Sequence, residues 1–291
     1  MKSISNLNEL RELADEKGIV STPDVNDRMA VVITRLAGDT LEMGEDESLI
    51  LAMGVEGVLD SMRLLQLYDQ SIPIQATQAS VSHFDPFGDL ESRGYLQNHC
   101  HQKDTARLKM LEHLSFSIGL KSTQAFLASC SHMGYPEYLN VHKGLFQPLY
   151  PWAGLDRLNN APSLTISKGA PGASGSVVFA QAQEIAMTIS YALRGIEDPD
   201  LVRSRVGTIL GNLAFAHPFL DGNGRAMLTF HSELCFRAGF AVMWNAVPAD
   251  KYLKALSTEI NRPGKQYMDD FLKPFIRDVS NRSECISVMI R

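Results

Sequence analysis

The chain lacks the marks of several large protein classes. Its four cysteines, Cys100, Cys130, Cys235 and Cys285, are scattered over 291 residues with no CxxC pair. That spacing argues against a disulfide framework and suits reduced thiols in a cytosol. No dense run of Lys and Arg occurs and the net charge is −6, so the basic footprint of a nucleic-acid binder is missing. No uninterrupted apolar stretch approaches the roughly 20 residues that span a bilayer, which argues against a membrane role. The opening residues, MKSISNLNELRELADEKG, are charged throughout and contain no apolar core of a secretory signal. A cytoplasmic protein is therefore expected, with a secreted effector as the alternative.

What is present is an ordinary globular composition, 45% hydrophobic and 21% charged, enough for one or two domains with a sizeable core. Most of it reads as helix. Residues 47–69 carry apolar side chains at mixed three- and four-residue spacings, as a well-buried helix does. The stretches DTARLKMLEHLSFSIGL and PEYLNVHKGLFQPLY read the same way, and residues 76–94, punctuated by Pro and Gly, read as a connection. His99, Cys100 and His101 are metal-ligand types. Adjacent helical residues point about 100° apart, however, so a solvated helix face is expected there.

One segment breaks the helical pattern. In residues 154–180 two β-prone pieces, SLTIS and SVVFA, flank a turn of Gly, Pro, Ala and Ser, which predicts a β-hairpin. A surface loop is the alternative.

The most polar short stretch is HPFLDGNGR, residues 217–225. Upstream, Val202, Val206, Ile209, Leu210 and Leu213 share one face of a helix that Pro199 opens. Downstream, Met227, Phe230 and Leu234 share an apolar side of a helix closed by Gly239. HPFLDGNG is thus a helix-to-helix loop whose glycines lead into a helix N-terminus.

That position has chemical consequences. A helix start presents unsatisfied N–H donors and the positive end of the macrodipole, which together bind anions. Gly222 and Gly224 can take positive φ and turn successive N–H groups into a concave nest. Asn223 can fix the loop or donate to the anion, and Arg225 brings a fork suited to phosphate. Asp221 would repel a bare phosphate, and a Mg²⁺ bridging carboxylate and phosphate removes that conflict. A histidine ordinarily titrates near neutrality, so His217 suits a general base acting on an incoming hydroxyl. DG and NG alone signal hairpin turns, but the helical flanks remove that reading. The stretch lacks the alternating oxygens and late Glu of a calcium loop and the GK[ST] ending of a P-loop.

The stretch resembles the signature of Fic (Fido-fold) proteins, H-x-F-x-[D/E]-G-N-G-R-x-x-R, filled by His217, Phe219, Asp221, Gly222, Asn223, Gly224 and Arg225. VHKGLFQPLYPWAGLDR (141–157) is similar to the family's run before its flap, ISKG followed by VFA to the flap, and DPFGDLESRGYLQN to an N-terminal stretch in one branch. The similarity spans roughly residues 85–276. It implies a mainly α fold, a helical core carrying a small β-hairpin flap. The division expected is an N-terminal helical region over 1–110, the catalytic core over 111–278 and a tail over 279–291.

It also implies a protein adenylyltransferase that moves AMP from ATP to a Tyr, Thr or Ser hydroxyl of a target protein. His217 would be the base, Asp221 would hold Mg²⁺, and Gly222, Asn223, Gly224 and Arg225 would form the anion hole. The flap around Ser163 to Val178, with Thr165, Ile166, Ser167, Lys168 and Gly169, would align the target by strand addition. Phe219 would be structural.

The sequence departs from the signature once. Leu228 stands where the last motif arginine, which typically reaches the γ-phosphate, is expected. A lost charge-assisted contact is worth about 1.5–3 kcal/mol. This opens two alternatives, another donor such as UTP or a CDP-linked alcohol, and a module that binds nucleotide or target without turnover. Residues 52–57, AMGVEG, resemble the family's inhibitory motif, with Glu56 in the inhibitory position and Ala52 in place of Ser or Thr. The partner arginine is also missing, so a plain N-terminal helix competes with autoinhibition by Glu56.

Overall fold

A computed structural model describes residues 4–20, 24–39, 43–71, 96–169 and 176–291. The chain is mainly helical, as its periodicity predicts. Four helices come first: α1 (Leu7–Lys17), α2 (Val25–Leu36), α3 (Glu45–Val55) and α4 (Ser61–Ser71). The long α5 (Thr105–Ser129) and α6 (Tyr135–Phe146) follow, then the single turn α7 (Arg157–Asn160). A hairpin of β1 (Ser167–Lys168) and β2 (Val177–Val178) leads to α8 (Ile185–Ala192), α9 (Pro199–Ser204), α10 (Val206–Ala216) and α11 (Asn223–Arg237). The chain closes with β3 (Phe240–Val242), α12 (Ala249–Asn261), α13 (Tyr267–Leu272), β4 (Ile276–Asp278) and α14 (Arg282–Met289).

Local chemistry sets many of these boundaries. Asn6, Asp24, Asp104 and Asp198 cap α1, α2, α5 and α9 by accepting from first-turn N–H groups. One continuous cluster of buried side chains then runs from Ile4 to Met289, so the N-terminal helices pack on the same core as the rest. The expected boundary at residue 110 falls inside α5.

The flap hairpin is present, with Ser167 opposite Val178 and Lys168 opposite Val177. A second antiparallel pair, β3 with β4, joins Phe240 to Asp278 and Val242 to Ile276. It pairs strands far apart in the chain, and the short apolar run after Gly239 gave no period by which to expect it.

Several helix boundaries differ from expectation. The single helix over 47–69 is two, α3 and α4, with Gly57 at φ +64° in the break. The helix opened by Pro199 breaks at Arg205 into α9 and α10. There Asp269, far along the chain on α13, accepts from the N–H groups of Gly207 and Thr208 and from the Thr208 hydroxyl. A Cβ on Gly207 would lie 2.2 Å from the Met268 carbonyl carbon, so that close approach needs glycine. The helix starting at Pro136 ends at Phe146, before Pro148. His99, Cys100 and His101 form a turn rather than a helix face, with His101 at φ +53° and the His99 N–H donating to the Leu149 carbonyl. The connection over 76–94 and most of DPFGDLESRGYLQN lie outside the described residues.

Candidate active site

α10 ends at His217, which takes a left-handed backbone (φ 41°, ψ 59°) that a non-glycine residue adopts only when its surroundings impose it. Arg157 supplies part of that constraint. Its Nε donates to the His217 carbonyl at 2.8 Å, and its backbone N–H donates to the Pro218 carbonyl at 2.7 Å. The His217 imidazole lies flat on Phe179, ring centres 3.8 Å apart, just after β2. Burial, then the charges of Arg157 and Lys168, lowers its pKa from 6.5 to about 3. The ring is therefore neutral at physiological pH and has a lone pair to offer.

The loop after it is clamped from below. Phe219 is fully buried and stacks on His142 at 3.7 Å. His142 accepts from the Gly154 N–H through Nδ1 and donates from Nε2 to the Asp221 carbonyl, the neutral tautomer that its lowered pKa of about 3 requires. Asn223 joins the Phe219 backbone twice, Oδ1 accepting its N–H at 2.9 Å and Nδ2 donating to its carbonyl at 2.8 Å. Of the two roles open to Asn223, its side chain takes the one that fixes the loop.

The start of α11 is left open. Its preceding residue is Gly222 at φ +73°, and no side chain caps its first turn, unlike α1, α2 or α5. A Cβ on Gly222 would lie 2.5 Å from the Phe146 ring. Only Gly222 takes the positive φ expected of both glycines, because Gly224 already belongs to the helix. Asp221 is half exposed and accepts from the Gly222 N–H.

Arg225 is held differently from the free fork expected. It is buried, ion-paired to Glu112 at 3.2 Å, 3.8 Å from Asp221, and lies over the Phe146 ring at 4.8 Å. Glu112 is itself buried and takes a hydrogen bond from the Tyr150 hydroxyl at 2.7 Å. Burial, with Asp221 adding, raises the Glu112 pKa to about 7 against the pull of Arg225.

These elements wall a cleft of about 380 Å³. His217, Asp221 to Arg225 and the flap residues Ile166, Ser167 and Lys168 line it. So do the apolar side chains Leu36, Leu213, Leu228, Leu253 and Leu256. Thr165 and Gly169 flank β1 in the flap, Gly169 at φ +85°. Glu56 is exposed at the end of α3 and is not among the lining residues; the end of α2, with Ala37 and Asp39, reaches the cleft instead.

Among the described residues no cluster of three or more His, Cys, Asp or Glu could hold a metal by protein ligands alone. One half-exposed carboxylate, Asp221, lining the cleft beside the uncapped start of α11, does fit Mg²⁺, which is commonly held by one or two carboxylates together with substrate phosphates and water. Sequence reasoning missed Glu112, His142 and Arg157 as parts of this site. The last two lie inside the run 141–157 but signal nothing by spacing, and Glu112 reads as an ordinary helix residue.

Residues 133–235 match the family model described as Fic/DOC family. The chain is 30% identical over 178 residues to the protein adenylyltransferase VbhT of Bartonella schoenbuchensis, a match covering 59% of this chain and 35% of that one. It thus spans about a third of the length of that curated relative. Among solved structures, the Bartonella tribocorum effector BepC with bound AMPPNP superposes at TM-score 0.55 with 18% identity, covering 68% of this chain and 100% of that one. The N-terminal Fic domain of a VirB-translocated Bep effector from Bartonella quintana, with bound ADP, gives TM-score 0.54 and 15% identity over 72% of this chain and 100% of that one. At these identities the likeness establishes the mainly helical fold. No helix of the described residues is long and apolar enough to cross a membrane.

Proposed function

We propose that this chain is a nucleotidyltransferase that moves AMP from ATP to a hydroxyl side chain of a target protein, a reading supported by the match of residues 133–235 to the Fic/DOC family model. One observation carries this reading: a neutral histidine, a half-exposed carboxylate and an uncapped helix start share one cleft beneath an edge strand. The similarity to VbhT, a protein adenylyltransferase, supports it.

In this mechanism the phosphates sit against the open N–H groups at the start of α11, where dipole and donors favour negative charge. Arg225 adds its buried charge, and Asp221 would hold a Mg²⁺ ion, which when bound would offset phosphate charge. The target lies along the free edge of β1 and brings its hydroxyl to His217. His217 takes the hydroxyl proton as the oxygen attacks the α-phosphorus; the bond to the β-phosphate oxygen breaks and pyrophosphate leaves.

The test is label transfer into proteins of a lysate from ATP labelled at the α or the γ phosphorus. Transfer from the α position alone is expected. Transfer from the γ position would mean kinase chemistry, and unchanged transfer by His217→Ala would remove the assigned base.

Leu228 favours a second reading with the same site and another donor. It is 1% exposed and lines the cleft, a poor neighbour for a charged terminal phosphate. A CDP-linked alcohol has no such terminal phosphate, whereas UTP shares it with ATP; each would leave a different added mass on the target, which intact-mass measurement separates. The remaining reading, binding without turnover, ends if the purified protein modifies itself.

A further inference from the structure

We infer that Arg157 is a positioning residue that joins the flap and the His217 loop into one unit, fixing the edge of β1 relative to the imidazole. This rests on the reading of His217 as the base and of the flap as the target's docking edge.

Arg157 is completely buried, yet its guanidinium is anchored by backbone carbonyls rather than by a carboxylate. Neighbouring Asp156 directs its own carboxylate to the Tyr135 hydroxyl and to Asn159. The carbonyls that Arg157 reaches come from three places. Nε and one terminal nitrogen take the last carbonyls of α10, His217 at 2.8 Å and Ala216 at 3.3 Å, where the negative end of the helix dipole favours a cation. The same terminal nitrogen takes Ala180, just past β2, at 2.6 Å. The other takes Leu164, just before β1, at 3.1 Å.

Both ends of the hairpin and the base therefore hang on one rigid fork. The exit of β2 has a second tie, Ala180 N–H to the Phe215 carbonyl. The entry to β1 has others, Leu164 N–H to the Ala161 carbonyl and the Thr165 hydroxyl to Gln181, but none of these reaches both ends and the base together. The hairpin is only two residue pairs long, so it cannot fix its own angle to the cleft. Lysine, a point charge without the fork, cannot replace these bonds.

Arg157→Gln and Arg157→Lys test this by amide exchange and by kinetics. In both, exchange at Phe179, whose N–H bonds across the hairpin to Ile166, should rise at least ~10-fold, while amides inside α11 stay within about twofold. Transfer should show kcat reduced by about a hundredfold with little change in KM for the donor, the pattern of a misplaced base over an intact anion site. If Phe179 exchange is unchanged, or α11 loses protection equally, the coupling is wrong. If the Gln variant does not fold, the Lys variant decides by the same readouts. If the wild type transfers no nucleotide at all, the proposed function fails, while the exchange result still decides the coupling.

Discussion

The two walls of the cleft are built on opposite plans. On the wall formed by α10, the 217–222 loop and α11, nearly every polar side chain is committed to holding shape: Asn223 to the Phe219 backbone, His142 to Gly154 and Asp221, Arg225 to Glu112. On the flap wall two strands of two residues each meet, with Ser167, Lys168 and Val178 exposed. A site that stabilises developing charge needs donors fixed before the reaction, and that is the first wall. A surface that must accept a foreign segment needs unpaired backbone, and that is the second. Three manipulations test whether the contrast is real.

The largest effect should come from acid, and it should fall on the fixed wall. His142 and His217 are depressed to about 3, and His113 and His231 to about 4, each chiefly by burial. Unfolding returns each to near 6.5, so between those values the unfolded chain binds more protons and stability rises with pH. Glu112, raised to about 7, works the other way between about 4.5 and 7, but it is one group against four. Urea midpoints should therefore be level between about pH 7 and 8 and fall steeply from about 6.5 toward 4, the unfolding free energy dropping by up to about 1.4 kcal/mol per pH unit for each histidine still neutral in the fold. A midpoint independent of pH between 7 and 4.5 would mean that these histidines are hydrated and the wall is loose.

Glu112→Ala should come next. It leaves the Arg225 guanidinium buried without its carboxylate, a loss of about 3–5 kcal/mol when the partner charge has no other escape. Denaturant unfolding measures it. A loss under about 1 kcal/mol would mean that Arg225 swings out to solvent or to Asp221, and that it is a mobile phosphate ligand rather than part of a set wall.

The same contrast explains what the sequence disclosed. The fixed wall announced itself through residue types, since a histidine, an acid, two glycines and an asparagine between two periodic helices need no partner to be noticed. Its commitments did not, because they are tertiary. Glu112 sits 113 residues before Arg225, and no helical period marks a glutamate that will pair across the core. Asp269 caps α10 from α13, so the break at Arg205 is invisible to a pattern that continues smoothly from Val202 to Leu213. Glu56 was legible only through a local pattern, AMGVEG, and its position was not: the structure leaves it exposed beside the turn at Gly57, while the end of α2 reaches the cleft. The flap was legible because its signals, β-prone pieces around a Gly- and Pro-rich turn, are local.

The smallest effect should come from an exposed flap side chain that lines the cleft. Lys168 is exposed and lines the cleft, so Lys168→Ala should change stability by no more than about 0.5 kcal/mol. Its charge does reach the site, as one of the groups that lowers the His217 pKa. Without it the imidazole pKa moves back upward, and the cleft attracts phosphate less strongly. Binding of Mg-ATP, followed by calorimetry, should weaken by only a few-fold, about 1 kcal/mol at most, and the difference should shrink as salt is raised, because an exposed charge is screened within about 8–10 Å. A salt-independent loss of ten-fold or more would place Lys168 among the fixed phosphate ligands. The flap would then share the rigid plan of the opposite wall, and the division of labour between the two would be wrong.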